Sequence, residues 1–305
     1  MKRPLNAVFY GNCQIMHLSL ILSEHAAFKK AYEIQSLKQI HQLAPEEAEW
    51  VYEKAAEADL FVYQPVTDAY GPLATDKVLK YLKSPDIAVS VPVLHFSGYW
   101  PETVYIRTPD GKKILTSSFC DYHDLNIMIA YHQGRTVEEF VKKIRTGFYD
   151  QEFMEFNASE AIKRLRVREA PLTLKIVDHI EAHWKKERLF YSINHCKNSL
   201  FYLLADQLLN LLGIDKITEE VKREEERLAF TKLPVYPELI SHFNFGFPNE
   251  DIIINRHPYT WPEYVEAYYR FYEGNPGLVS YNLHAFATSG GFYQKRILSL
   301  NNFHL

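Results

Sequence analysis

Two kinds of apolar segment alternate along residues 1–100. Short β-favouring runs, Leu5–Tyr10, Tyr32–Leu37, Asp59–Pro65 and Ile87–Val93, read as strands. The stretches between them, Ile15–Leu22, Pro45–Glu57 and Thr75–Lys83, read as helices; Pro45 and the acidic residues after it suit a first turn. Strands separated by helices of about ten residues are the mark of βαβ units. The expectation is therefore α/β: a parallel sheet flanked by helices.

Beyond residue 100 the pattern loosens. Thr103–Leu115, with Thr108-Pro109-Asp110-Gly111 at its centre, reads as a hairpin insertion. Cys120–Asn126 leads into a helix ending near Gly134, and Thr136 and Glu139 have the spacing of a capping box. A pair of helices is expected over Asn157–Lys186, then a strand at Leu189–Ile193 and a helix at Leu200–Leu212 closed by Gly213. Thr218–Phe230 reads as a highly charged helix, Leu233–Phe247 as an aromatic and proline-rich connection. A further helix, opened by Thr260 and Glu263, runs to Tyr272. This order predicts a core over 1–215 carrying insertions and a helical C-terminal extension over 216–305. The aromatic tail through Leu300 suits packing onto the core or onto a second copy in a homo-oligomer.

Composition narrows the function. With 305 residues the chain can bury a substantial core. A net charge of −4 argues against a generic nucleic-acid binder, which needs a basic surface. Cys13, Cys120 and Cys196 are far apart and lack CxxC spacing, so neither a disulfide framework nor a metal cluster is indicated, and a reducing compartment suits them. Polar residues interrupt the N-terminal apolar run, and no small-residue cleavage site follows; no signal peptide is expected. No run reaches the length of a membrane span. The expected location is the cytoplasm. Gly11 is the only glycine of the first turn, so the dinucleotide fingerprint and the Walker A loop are both missing.

Ligands of parallel α/β sheets bind outside the carboxyl ends of the strands. Those ends carry Gly11-Asn12-Cys13-Gln14, Gln64-Pro65 and Leu94–Tyr99. Cys13 falls at or near a helix N-terminus, where free N–H groups and the dipole favour an anion and lower a thiol pKa. It is a candidate nucleophile, with turn N–H groups and the side chain of Asn12 or Gln14 facing a developing oxyanion. A buried structural cysteine is the competing reading. Asn194-His195-Cys196-Lys197-Asn198 lies at a second strand–turn–helix junction and offers His195 as a base for a thiol or a hydroxyl. His123, beside Asp121 and Asp124, suits either an active site or a capped helix start. Lys163, Arg164, Arg166 and Arg168 form a charge run of the kind usually found on a solvated face.

The turn Gly11-Asn12-Cys13-Gln14 resembles the opening motif of the WcbI-like polysaccharide biosynthesis acetyltransferases, relatives of the SGNH/GDSL hydrolases. In those hydrolases the nucleophile sits on a Gly-Asp-Ser turn; here Asn12 and Cys13 stand at the last two positions. Asn194-His195 resembles the family's Asn-His-Pro-type segment, with Cys196 in place of proline, and the His123 tract resembles another histidine-bearing segment of the family. The resemblance implies an SGNH-like fold and an acetyl-coenzyme A-dependent O-acetyltransferase acting on a sugar hydroxyl in capsular or exopolysaccharide biosynthesis, with no metal. Its acceptor would be a nucleotide sugar, a lipid-linked intermediate or the growing polysaccharide. Catalysis would rest on Cys13 and His195, the oxyanion and substrate on Gly11, Asn12, Gln14, His123, Asn194 and Asn198, and coenzyme A on Lys197, Tyr122 and His95. The cations at 163–168, with Lys185, Lys186 and Arg188, are further candidates for its phosphates. His257 is the rival base, although Ile254 stands where the Asp-x-x-His motif of the hydrolases needs an acid. A thiol esterase releasing acyl groups to water and a non-enzymatic glycan- or nucleotide-binding protein are the alternatives.

Overall fold

The computed structural model describes residues 3–108, 119–219, 221–222, 225–248 and 251–288. Of the expected turn at Thr108-Pro109-Asp110-Gly111, residues 109–111 lie outside these residues, and the tail is described as far as residue 288, with a helix at Leu278–Thr288.

Four strands, β1 (Leu5–Tyr10), β2 (Tyr32–Ser36), β3 (Leu60–Tyr63) and β4 (Ala88–Ser90), form an all-parallel sheet in the order β2-β1-β3-β4. The register sets Ala7 opposite Ile34 on one side and Leu60 on the other, and Val62 opposite Val89. The connecting helices are α1 (Cys13–Glu24), α2 (Ala26–Ala31) and α3 (Ala48–Glu57). Central β1 is apolar because both of its faces are covered: Ala7, Val8, Phe9 and Tyr10 are fully buried. On one face Val8, Tyr10 and Phe61 join Val51, Tyr52 and Ala55 of α3 in a single cluster. Alternation turns Ala7 and Phe9 to the other face, and α1 packs on β1 and on the helix Asn198–Leu211. That helix buries Leu200, Leu204 and Leu208 at four-residue intervals. Each fully buried large apolar side chain of this core is worth roughly 1.5–3 kcal/mol. β4 is shorter than its apolar run predicts. The Val91 N–H still bonds the Tyr63 carbonyl, but Pro92 has no N–H to continue the ladder.

The chain divides into two compact units, Met1–Phe96 with Glu160–Ala229 and Ser97–Ser159 with Phe230–Leu305. This grouping differs from the expected 1–215 and 216–305, because residues 97–159 assemble with the C-terminal residues. Where a charged helix is expected, the described residues of 218–230 form turns and bends instead. The run is too charged to bury an apolar stripe, and only Val221 and Leu228 supply one. The segment serves instead as an anchor, with a Glu226 carboxylate oxygen accepting from the Asn198 N–H (2.7 Å) and the Glu225 carbonyl accepting from Asn198 Nδ2 (2.9 Å).

The second unit is an aromatic core. Tyr99 meets Trp100, Phe245 and Phe247 edge-on, and Trp100 donates its Nε1–H to the Pro234 carbonyl at 2.9 Å. Both predicted capping boxes are present, at Thr136/Glu139 on the helix Val137–Thr146 and at Thr260/Glu263 on the helix Trp261–Glu273. Among the described residues no helix is long and apolar enough to cross a membrane.

Candidate active site

β1 delivers its last side chain, Tyr10, into the core, and the chain turns at Gly11 straight into α1. A Cβ on Gly11 would lie 2.8 Å from Gln64 Oε1 and 3.0 Å from Gln64 Cβ, so only glycine lets the side chain at the end of β3 approach. Asn12 caps α1: its Oδ1 accepts the Gln14 N–H at 2.8 Å, satisfying one of the free donors of the first turn. Cys13 is the first residue of the helix and is half-buried. Burial pushes its thiol above the ordinary value, and the backbone N–H groups of Cys13 and Gln14 pull less strongly the other way. The expected lowering of the thiol pKa by the helix start is thus outweighed by desolvation, and the resting sulfur is a protonated thiol.

Gln14 does something its sequence position did not reveal. Its two Nε2 hydrogens go to the Leu94 carbonyl (2.6 Å) and the Asn194 carbonyl (2.7 Å), while its Oε1 accepts from the Leu94 N–H (3.0 Å) and from Gln64 Nε2 (2.9 Å). Gln64 in turn donates to the Pro92 carbonyl (3.2 Å), and its Oε1 accepts the Asn12 N–H (3.2 Å). One buried amide thereby ties the loops after β1, β3 and β4 to the Asn194 turn. Both donors of Gln14 are consumed in this tie, so what it does is hold the loops in place.

The Asn194 turn joins two antiparallel two- and three-residue strands, Phe190–Ser192 and His195–Cys196. The Ile193 carbonyl accepts the Phe96 N–H at 2.7 Å, fastening this hairpin to the loop after β4. His195 is buried, and desolvation pushes its imidazole down to about 4, so the ring is neutral at physiological pH. Cys196 is sealed, its thiol held well above the ordinary value by burial first and then by the Cys13 sulfur. That coupling and the Gln14–Asn194 bond place Cys13 and the His195 hairpin side by side.

His17 was not anticipated. It lies one helical turn after Cys13, on the same face of α1, is buried, and shares a 2.7 Å hydrogen bond between its Nε2 and Asn198 Oδ1. Its ring meets Phe201 edge-on at 4.6 Å. Burial lowers its pKa. In the sequence it was hidden inside an apolar run, and only the i, i+4 spacing from Cys13 could have flagged it. Asn198, nominated for substrate, spends its side chain on His17 and the Glu225 carbonyl.

His95 lies on the loop after β4, its pKa pushed down to about 4 by burial first and then by Arg168 and Arg164. Arg168 donates to the His95 carbonyl at 2.8 Å, and its own guanidinium is disfavoured by burial and by Arg164. Arg166, in contrast, pairs with Asp178 (2.8 Å) and Glu181 on the exposed side. Lys197 is the half-buried N-cap of the helix Asn198–Leu211.

Tyr122 and His123 belong to the second unit. His123 is buried among Tyr268, Phe271 and Tyr272, with Nδ1 3.0 Å from the Tyr272 hydroxyl, and burial pushes its pKa down to about 3. Tyr122 is buried with its ring 5.7 Å from that of Tyr105. Asp124 caps the helix Leu125–His132 through Oδ1 and accepts the Tyr236 hydroxyl at 2.7 Å through Oδ2. His257, also in this unit, is exposed on a short strand paired with Ile252–Ile254. Among the described residues no group of three His, Cys, Asp or Glu side chains is arranged to hold a metal.

Comparison with known proteins agrees with the family that the first turn resembles. A family model described as the polysaccharide biosynthesis enzyme WcbI matches residues 6–216. No curated protein matches the chain. A solved structure of WcbI, described as a novel polysaccharide biosynthesis enzyme in its native form without a disulfide bond between coenzyme A and one of its cysteines, is similar at a TM-score of 0.78. It is 20% identical, over 97% of this chain and 99% of that one.

Proposed function

The chain belongs to the WcbI family of polysaccharide biosynthesis enzymes, and from that premise we propose that it is an acyltransferase carrying an acetyl group from acetyl-coenzyme A to a sugar hydroxyl. The observation that carries this reading is the junction made by Gln14, which sets the Cys13 turn against the His195 hairpin. The solved WcbI structure, described by reference to coenzyme A and a cysteine, supports a thiol-lined coenzyme A site, and Cys13 on its strand-end turn suits that cysteine's part.

With the thiol protonated and the imidazole neutral, the pair is not a preformed thiolate–imidazolium. Cys13 attacks the thioester carbonyl carbon as His195 takes its proton. The free N–H groups at the start of α1 meet the oxyanion, and the departing coenzyme A thiolate recovers the proton from His195. The acetyl group then rests on Cys13 Sγ. His195 next accepts the proton of the sugar hydroxyl, whose oxygen attacks the acetyl carbon, and the Cys13 sulfur leaves and is reprotonated. Arg164 and Arg168, two like charges beside His95, suit the phosphates of coenzyme A, because an anion between them lowers their mutual repulsion.

Incubation with acetyl-coenzyme A followed by peptide mass mapping is expected to show an acetyl group on Cys13 that a sugar acceptor discharges. Cys13→Ala that still transfers at the wild-type rate would restrict Cys13 to lining the site and leave His195 to activate the acceptor directly. Release of acetate from an acetylated glycan without coenzyme A, and no saturable thermal shift with coenzyme A, would replace transfer by hydrolysis.

A further inference from the structure

A cavity lies within the second unit. It has a volume of about 290 Å³, at the small end of ligand pockets. The helices Leu125–His132 and Val137–Thr146 form its walls. Ile129, Ala130, Phe140 and Phe148 give it an apolar floor. Arg135, Lys142 and Lys143 stand on its wall against a single carboxylate, Glu139.

The cations are unevenly committed. Lys143 lies over the Phe148 ring at 5.9 Å, and Arg135 is 3.6 Å from Glu139 through Nη1. The Nε–H of Arg135, however, is buried and has no hydrogen-bond partner among the described residues. A buried guanidinium donor left unmade costs free energy until an acceptor reaches it. Three cations, one carboxylate and an apolar floor call for a ligand with a doubly charged head and a hydrocarbon body. We propose that this cavity binds an alkyl phosphate, its phosphate oxygens on Arg135 and Lys142 and its chain between Ile129, Phe140 and Phe148. A phosphate monoester carries close to two negative charges at neutral pH and presents the oxygens a guanidinium fork takes. A carboxylate leaves one positive charge uncompensated, and an alcohol leaves both.

The test is calorimetric titration of the full chain with octyl phosphate, octanoate, octanol and inorganic phosphate. Octyl phosphate is expected to bind, octanoate about tenfold more weakly, and octanol and inorganic phosphate at least about a hundredfold more weakly. Arg135→Gln and Lys142→Gln should each weaken octyl phosphate about tenfold, and Ile129→Trp, which fills the cavity, should abolish binding. Lys142 is exposed, so Lys142→Gln keeps the test valid if Arg135→Gln fails to fold. Octanol binding as tightly as octyl phosphate, inorganic phosphate binding as tightly as either, or unchanged affinity in folded variants would each overturn the proposal.

Discussion

The protonation state assigned to Cys13 is open to direct measurement by alkylation. An ordinary cysteine, with a pKa of about 8.5, is ionised to about 3% at pH 7. Cys13 is raised by burial, so its thiolate fraction is smaller still and its iodoacetamide rate at pH 7 should fall at least several-fold below that of a free thiol. The rate should climb about tenfold per pH unit from pH 6 to 8.5 with no plateau. His195→Ala should leave this profile nearly unchanged, because the neutral imidazole lends no positive charge to the sulfur. Background is low: Cys120 is pushed up to about 12 and Cys196 is sealed, so peptide mapping of the folded protein reads Cys13 alone. A plateau with a midpoint below pH 7 that disappears in His195→Ala would show a thiolate–imidazolium pair and refute the general-base mechanism.

Gln14→Glu places a carboxylate against the Leu94 and Asn194 carbonyls and should cost about 3 kcal/mol or more in urea unfolding; wild-type stability would mean that the amide is not the tie. Gly11→Ala drives a Cβ into Gln64 and should cost about 1–3 kcal/mol and slow transfer, whereas an unchanged melting temperature and rate would show that the turn relaxes freely. His123 is neutral in the folded state down to about pH 3 but takes a proton near pH 6.5 when unfolded, so the unfolded state binds more protons between those values. Stability should therefore be full above pH 6.5 and fall as the pH drops towards 3. His123→Phe should flatten that acid limb in pH-resolved denaturation, and an unaltered limb would assign it to other groups.

The Cys13 turn was legible because its parts are local signals: an apolar strand that ends, a polar Gly-Asn-Cys-Gln break, and an apolar helix that follows. His195 was legible as a polar break between a strand and a long apolar helix. Gln14 was misread because its partners lie 80 and 180 residues away, and nothing in a sequence states which carbonyls an amide will meet. His123 looked chemical beside two acids, but Asp124 turned out to be a cap and the imidazole an aromatic-core residue. The charged run at 218–230 failed as a helix for a related reason: its carboxylate and carbonyl found better employment fixing Asn198 than lining a solvated helix.

The amide tie also bears on biosynthesis. The Asn194 carbonyl that Gln14 needs is made 180 residues after Gln14 itself. A nascent chain on the ribosome therefore holds Cys13 long before the His195 hairpin has emerged from the exit tunnel. No truncated product stalled short of that hairpin can close the Gln14 tie, so chain order alone keeps the Cys13 turn unfastened until the hairpin is made.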